Sequence, residues 1–399
     1  MANRSLRILM LIHRLADNSP YCFFVHEQAR ALHALGHDVA VIAPVGVLPG
    51  RRLLRPAAWA ATRSTPSRAE VDGIPVRYPR YLTLGEPGAR LLGGRPMARA
   101  ALPVARELHR EKSFDILHAH MLPIEGHAGL IVGKALGIPV ALTAHGTDTY
   151  RYFPLGETPW PRNRAVANGV SVLMAVSSML AERLAPYRRE PVEVLHNGVD
   201  LSRIPAARSN RRRAVITGGA LKPSKRVHAT LDAFSALADA YPDATLTVFG
   251  EGPERASLEA RIAEHGLGDR VTLTGAIPHE QVLARMAESG LFVMPSSPEG
   301  FGIVYIEAMA AGCVAVGSAG EGIADVIRHG ENGYLVPPGD AEALAGTLRM
   351  LLEGGEEVEA ARRRGMATAQ ALTWRSNAER CVSLYRRAIA THHPCRGGY

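Results

Sequence analysis

The feature that most restricts this chain is a strand–helix–strand alternation that starts near its beginning and starts again past its middle. Arg7–Leu11 reads as a short apolar strand. Residues 25–35 then carry Val25, Ala29, Leu32 and Leu35 at helical spacing and close on Gly36, and 37–43 reads as the next strand. A βαβ unit packs only as parallel strands with a covering helix, so the chain is expected to build an α/β, doubly wound parallel sheet. Further strands at 115–120, 139–143, 170–175 and 192–195 alternate with helices at 125–136 and Ser178–Leu184.

The pattern lapses over the polar, Arg-rich residues 201–213 and resumes with a strand at 214–217. From there helices at 227–240, 254–265, 279–288 and 302–311 alternate with strands at Thr245–Phe249, 271–274, 291–294 and 314–316. With 399 residues the chain exceeds the roughly 250–300 at which a single core stops growing, so two domains are expected. The division reads as 1–200, a linker at 201–213, 214–373, and a terminal helix and tail at 374–399. Segment 46–100, rich in Pro, Gly and Arg, reads as the least regular part.

Composition excludes several classes. No run of about 18 uncharged apolar residues exists, so a membrane span is not expected. The first residues lack the small-residue cleavage site of a signal peptide. Cys22, Cys313, Cys381 and Cys395 are far apart and form no C-x-x-C pair, which suits free thiols in a reducing cytoplasm. Residues 51–112 hold 13 Arg or Lys against 5 Asp or Glu, an excess equal to the +8 of the whole chain. Such a segment is a solvated Arg-rich surface or a face for an anionic acceptor, a membrane surface or nucleic acid.

The most informative stretch runs Pro295-Ser296-Ser297-Pro298-Glu299-Gly300-Phe301-Gly302-Ile303-Val304-Tyr305-Ile306-Glu307-Ala308-Met309-Ala310-Ala311-Gly312. A strand ends, a Pro/Ser/Gly loop carries Glu299, and a helix opens near Gly302. Its first N–H groups suit a diphosphate. Two carboxylates beside such a seat serve better as acceptors for hydroxyls, one on a sugar and one on a ribose. A capping Glu and a surface Glu would explain either residue alone, not the whole pattern.

This E-x7-E arrangement, Glu299 to Glu307, resembles the signature of the GT4-type (group 1) retaining glycosyltransferases of the GT-B fold. The resemblance extends through Phe114-Asp115-Ile116-Leu117-His118-Ala119-His120, Thr143-Ala144-His145-Gly146-Thr147-Asp148, Leu195-His196-Asn197-Gly198-Val199-Asp200, Lys225, Val248-Phe249-Gly250-Glu251-Gly252-Pro253 and Gly330-Glu331-Asn332-Gly333-Tyr334-Leu335-Val336. It implies two Rossmann-like domains facing a central cleft, an acceptor-side N-terminal one and a donor-side C-terminal one, with the last helix, about 374–390, crossing back to the first. It further implies that Glu299 faces the donor sugar and Glu307 the ribose. The backbone of Phe301, Gly302, Ile303 and Val304 is implied to contact sugar and phosphates, with Lys225 neutralising the diphosphate. Glu299, His145 and Lys225 are thus the expected catalytic residues, Gly219 and Arg226 join the donor set, and His120, Asp148 and Asn197 are candidates at the cleft.

In two places the chain departs from the family pattern. Ala220 stands where an Arg is usual, so a second phosphate cation comes from Lys222 or Arg226 or is absent. The loop Asp17-Asn18-Ser19-Pro20-Tyr21-Cys22-Phe23 lacks the usual glycine pair, which puts its contacts in question. His118 and His120 have the spacing of metal ligands on one strand face, but the resemblance instead places His120 at the cleft and His145 near the donor sugar. No D-x-D pair exists, and no metal or other cofactor is expected. The glycine clusters lack the third Gly of a dinucleotide fingerprint and the elements of a P-loop, which removes dehydrogenase and NTPase readings.

The expected partners are a nucleotide-sugar donor, a UDP-sugar or else a GDP-sugar, and a hydroxyl acceptor in glycan, glycolipid or natural-product biosynthesis, with no nucleic acid. The 51–112 segment is a candidate for peripheral contact at the inner face of the membrane. A sugar-nucleotide 2-epimerase and a non-catalytic nucleotide-sugar binder are the alternatives.

Overall fold

The computed structural model describes residues 4–13, 23–47, 64–83, 85–152, 162–206 and 212–392. It divides into two compact units, one of Met1–His196 with Trp374–Tyr399 and one of Asn197–Thr373. The first unit ends ahead of the expected linker because Val199 N–H donates to Leu372 O (2.9 Å) and Val199 bridges Thr373, which ties this stretch to the second unit. Residues 207–211 of that linker lie outside the described residues.

The first unit holds strands β1 (Arg7–Leu11), β2 (Asp38–Ile42), β3 (Val45–Val47), β4 (Arg68–Val71), β5 (Ile74–Arg77), β6 (Arg80–Leu82), β7 (Ile116–His120), β8 (Val140–Ala144), β9 (Val172–Ala175) and β10 (Glu193–Val194). Eight of them form one sheet in the order β10-β9-β8-β7-β1-β2-β5-β4, parallel except at β4–β5, and β3 pairs with β6. Every residue of β7 and β8 is buried, as expected for strands covered on both faces. The strand order reverses between β1 and β7.

Within segment 46–100, the described residues 64–83 and 85–100 are more regular than the composition suggests, and residues 48–63 and 84 lie outside the described residues. The hairpin β4–β5 turns on Asp72-Gly73, both with positive φ (49° and 76°), the two-residue turn that an Asp-Gly pair favours. Arg95–Glu111 forms a 17-residue helix with Pro in its first turn, burying Met97, Ala98, Ala101, Ala105 and Leu108 on one stripe. The helix expected at 125–136 starts at His127, because Leu122–Gly126 forms a π turn first.

The second unit holds β11 (Ala214–Gly218), β12 (Thr245–Phe249), β13 (Val271–Gly275), β14 (Leu291–Val293), β15 (Val314–Ser318) and β16 (Tyr334–Val336). They form an all-parallel sheet ordered β13-β12-β11-β14-β15-β16. Counted from β11 this is the Rossmann order 3-2-1-4-5-6, with the reversal between β11 and β14. Helices Ala341–Glu353 and Glu356–Ala371 follow β16.

The helix Trp374–Thr391 belongs to the first unit. Ala378, Cys381, Leu384, Tyr385 and Ala388 enter its core. Full burial of Leu384 alone contributes roughly 1.5–3 kcal/mol. Gln28 Nε2 donates to Asn377 Oδ1 (2.7 Å), and Asn377 Nδ2 donates to His196 O (2.7 Å). Cys313 and Cys381 are buried free thiols, each pushed up to about 12 by burial. Cys22 and Cys395 lie outside the described residues. Among those residues, no helix is long and apolar enough to cross a membrane.

Candidate functional site

In open α/β sheets ligands bind beyond the carboxyl ends of the strands where the strand order reverses. In the second unit that point is flanked by the chain leaving β11 and the chain leaving β14. After β11, Gly219 N–H donates to Phe249 O (3.0 Å), and Pro223–Lys225 forms a 3-10 turn. Arg226 then takes a left-handed conformation (φ 50°) and opens the helix Val227–Ser235. After β14, the loop 294–302 carries Glu299. Ser297 N–H donates to Ser224 O (2.8 Å), which ties the two loops together.

This brings Lys225 Nζ against Glu299 Oε2. Ser296 Oγ donates to the same carboxylate oxygen (3.3 Å), so the carboxylate is aimed by two side chains. The loop is braced from behind by Glu321, which accepts from Glu299 N–H (2.7 Å) and Ser297 Oγ (2.6 Å). Gly322 permits this approach, since a Cβ there would lie 2.0 Å from Gly300 O. Tyr305, fully buried, donates its hydroxyl to Met294 O and stands 2.9 Å from Ser296 Oγ; burial raises its pKa.

Phe301 is buried and Gly302 caps the helix Ile303–Ala310. The N–H groups of Ile303 and Val304 have no intrahelical acceptor, as at any helix start, and gather positive potential there. Glu307, 7% exposed, sits on this helix, with His279 Nε2 2.9 Å from its Oε1. Lys222 is exposed, and Arg226 lies against Gly339. Asn197 is buried in the same unit and has no hydrogen bond to Lys225, Glu299 or Glu307 among the described residues.

A second cluster stands at the reversal point of the first sheet. His120 ends β7, and His145 follows β8, with His120 Nδ1 3.1 Å from His145 Nε2. Asp148, 2% exposed, accepts from Leu122 N–H (3.0 Å), His145 N–H (2.9 Å) and Gly146 N–H (2.8 Å). Burial raises its pKa against the pull of those three donors. His118 and His120, whose spacing alone would also suit metal ligands, have separate hydrogen-bond partners. His118 lies between Thr143 Oγ1 (2.8 Å) and Tyr385 OH (2.6 Å). Burial lowers His118 and His145 to about 3 and His120 well below its ordinary value. His13 Nδ1 meets Glu125 Oε1 at 2.5 Å, and that carboxylate raises the pKa of His13 despite burial.

Reading the sequence missed His279, Glu321 and the His13–Glu125 pair. Glu321 was signalled by its flanking glycines, Gly320 and Gly322, whose packing use shows only when the loop they meet is known. His279 stands just past Pro278 at a helix start, a position where a polar residue is ordinarily read as a cap.

The family model described as "Glycosyl transferases group 1" matches residues 201–370, and that described as "Glycosyltransferase Family 4" matches 23–203. Glycogen synthase from Mycobacterium tuberculosis is 29% identical over 392 residues, spanning 91% of this chain and 90% of its own. Among solved structures, sucrose-phosphate synthase from Thermosynechococcus elongatus superposes with a TM-score of 0.76 at 21% identity, covering 96% of this chain and 99% of that one. Anabaena HepE in complex with UDP and glucose gives 0.68 at 20% identity, covering 95% and 98%. The fold is GT-B, a pair of Rossmann-like α/β units.

Proposed function

The chain belongs to the GT4-type, group 1 glycosyltransferases, and on that premise we propose that it is a retaining, metal-independent enzyme that moves a sugar from a nucleotide-diphosphate sugar to a hydroxyl acceptor. A UDP-sugar is the favoured donor, since the similar HepE structure holds UDP and glucose. The observation that carries the reading is the meeting of Lys225, Glu299 and the Gly302–Val304 helix start at the reversal point of the second sheet.

The proposed chemistry follows from the charges. A leaving nucleoside diphosphate develops negative charge as the glycosidic bond breaks. Lys225 and the N–H groups of Gly302, Ile303 and Val304 supply the positive field there, a type of contribution worth about 10²–10³ in kcat for one donor. Because this cation and helix start can neutralise the diphosphate, and no D-x-D pair is present, the reading needs no metal. Glu307 accepts from ribose hydroxyls and Glu299 from sugar hydroxyls. The acceptor attacks on the face the diphosphate leaves, and a phosphate oxygen takes its proton, so no protein base is required. His145 is proposed to hydrogen-bond a sugar hydroxyl. The proposed setting is the cytoplasm, with the basic 51–112 segment, where Arg68, Arg95 and Arg99 are exposed, facing an anionic acceptor or membrane.

A thermal-shift panel of UDP, GDP, ADP, TDP and CDP, with and without EDTA, on the native chain and on Glu307→Ala tests this. Ligand at 100 Kd stabilises the folded state by about 2.7 kcal/mol. A shift with one nucleotide that survives EDTA and disappears in the variant is expected. No shift with any nucleotide would remove the donor site from the second unit. A proton NMR spectrum of the first-formed product reads its anomeric configuration and so tests retention.

A further inference from the structure

His120 and His145 are joined in a way that leaves their outer ends unmatched. Their rings stack with centroids 5.4 Å apart, and the shared hydrogen bond uses Nδ1 of one and Nε2 of the other. The two remaining nitrogens, His120 Nε2 and His145 Nδ1, are buried without a partner among the described residues. His118, whose ring lies 4.0 Å from that of His120, has both of its nitrogens matched by Thr143 and Tyr385.

Counting protons gives the pair its logic. Burial keeps both rings neutral, so the pair holds two N–H protons on four ring nitrogens. One proton must lie in the shared bond, because two bare nitrogens at 3.1 Å repel. The second then sits on one outer nitrogen and leaves the other bare. If His120 donates, His145 carries its proton on Nδ1; if His145 donates, its Nδ1 is a lone pair. The other contacts of His145 hold its position without making this choice: Asp148 grips its backbone N–H, and the Phe24 ring lies 4.2 Å away.

We propose that His120 is a positioning residue that fixes the tautomer of His145, and so decides whether His145 offers an N–H or a lone pair to a sugar hydroxyl. The catalytic part of this inference rests on the reading that His145 hydrogen-bonds a sugar hydroxyl; the tautomer part stands on the His120–His145 contact together with the burial that keeps both rings neutral.

Nitrogen-15 NMR of the histidine-labelled full chain tests it, with the His145 signals assigned by their loss in His145→Gln. The native chain is expected to show one neutral tautomer at His145, with its two ring nitrogens well separated in shift. In His120→Phe those two shifts should move together as both tautomers become populated. In His120→Asn, whose amide can still hydrogen-bond toward His145, they should stay apart as in the native chain. Transfer assays should show kcat falling roughly tenfold in His120→Phe, the scale of one hydrogen bond, and recovering in His120→Asn. An unchanged His145 tautomer in folded His120→Phe would overturn the proposal, as would equal losses of kcat in the two folded variants. Should His120→Phe not fold, a changed tautomer in His120→Asn overturns it and an unchanged one supports it. Failure of the donor-site reading shows separately, as the absence of any nucleotide thermal shift in the native chain.

Discussion

Lys225 and Glu299, 74 residues apart in sequence, form an ion pair where the strand order of the second sheet reverses. Each is mostly buried, with side-chain exposures of 24% and 13%. Replacing Lys225 by Ala leaves Glu299 without its cation and the proposed diphosphate seat without its side-chain charge. Hydrogen bonds to charged groups contribute about 1.5–3 kcal/mol, so nucleoside diphosphate affinity should fall roughly 10- to 100-fold. Titration calorimetry measures this, and an unchanged Kd would place the diphosphate elsewhere.

Glu307 is held through one oxygen by His279, which leaves the carboxylate oriented for a second partner. Glu307→Ala should weaken nucleotide binding roughly 10- to 100-fold and abolish any preference for a nucleotide over its 2′,3′-dideoxy form. His279→Ala, which removes only the brace, should cost under about tenfold. If Glu307→Ala still distinguishes the two nucleotides, another group reads the ribose.

Asp148 satisfies three backbone N–H groups at once, and all three lie in or beside the turns that carry His145 and follow His120. Asp148→Ala leaves these donors unmatched, at about 1–3 kcal/mol for each that water cannot reach. A drop of at least about 3 kcal/mol in unfolding free energy is expected, with Asp148→Asn retaining part of it. Denaturant titration reads both, and a loss under about 1 kcal/mol in the Ala variant would mean that the turns reorganise to satisfy themselves.

Acid should destabilise the chain through its buried histidines. His118 and His145 ionise near 6.5 when exposed and near 3 when folded, so below about 6.5 the unfolded chain takes up protons that the folded chain refuses. Their contribution is complete above that pH and declines as pH falls toward 3, by about 1.4 kcal/mol per unit for each. His13 has the opposite sign: Glu125 raises its folded pKa, so its contribution is complete below about 6.5 and is lost as pH rises through the raised value. Denaturation midpoints should fall from pH 7 to pH 5, and His145→Gln should flatten that fall by one proton. His13→Gln should lose more stability at pH 6 than at pH 9. A midpoint independent of pH between 7 and 5 would contradict the burial of these rings as neutral groups.

The elements that the sequence made legible are those decided by neighbours a few residues apart. Strands β1 and β12 and the helix Ser178–Leu184 lie where the apolar pattern placed them, because a strand or helix face repeats over two to four residues. The Asp72-Gly73 hairpin was equally local but was obscured by the Pro, Gly and Arg around it.

The placement of the two E-x7-E carboxylates was likewise local, one before a helix start and one inside that helix. What the sequence alone determined is therefore the two-fold α/β alternation, its parallel sheets, and the residue types able to meet a diphosphate and two sets of hydroxyls. Only the tertiary structure decided that Lys225 would meet Glu299, that Glu321 would brace their loop, that His279 would hold Glu307, and that Tyr385 would reach His118 from 267 residues away. Those pairs depend on strand order and on which helix covers which face. Both are chosen by burial over the whole unit, and no short stretch of sequence contains that information.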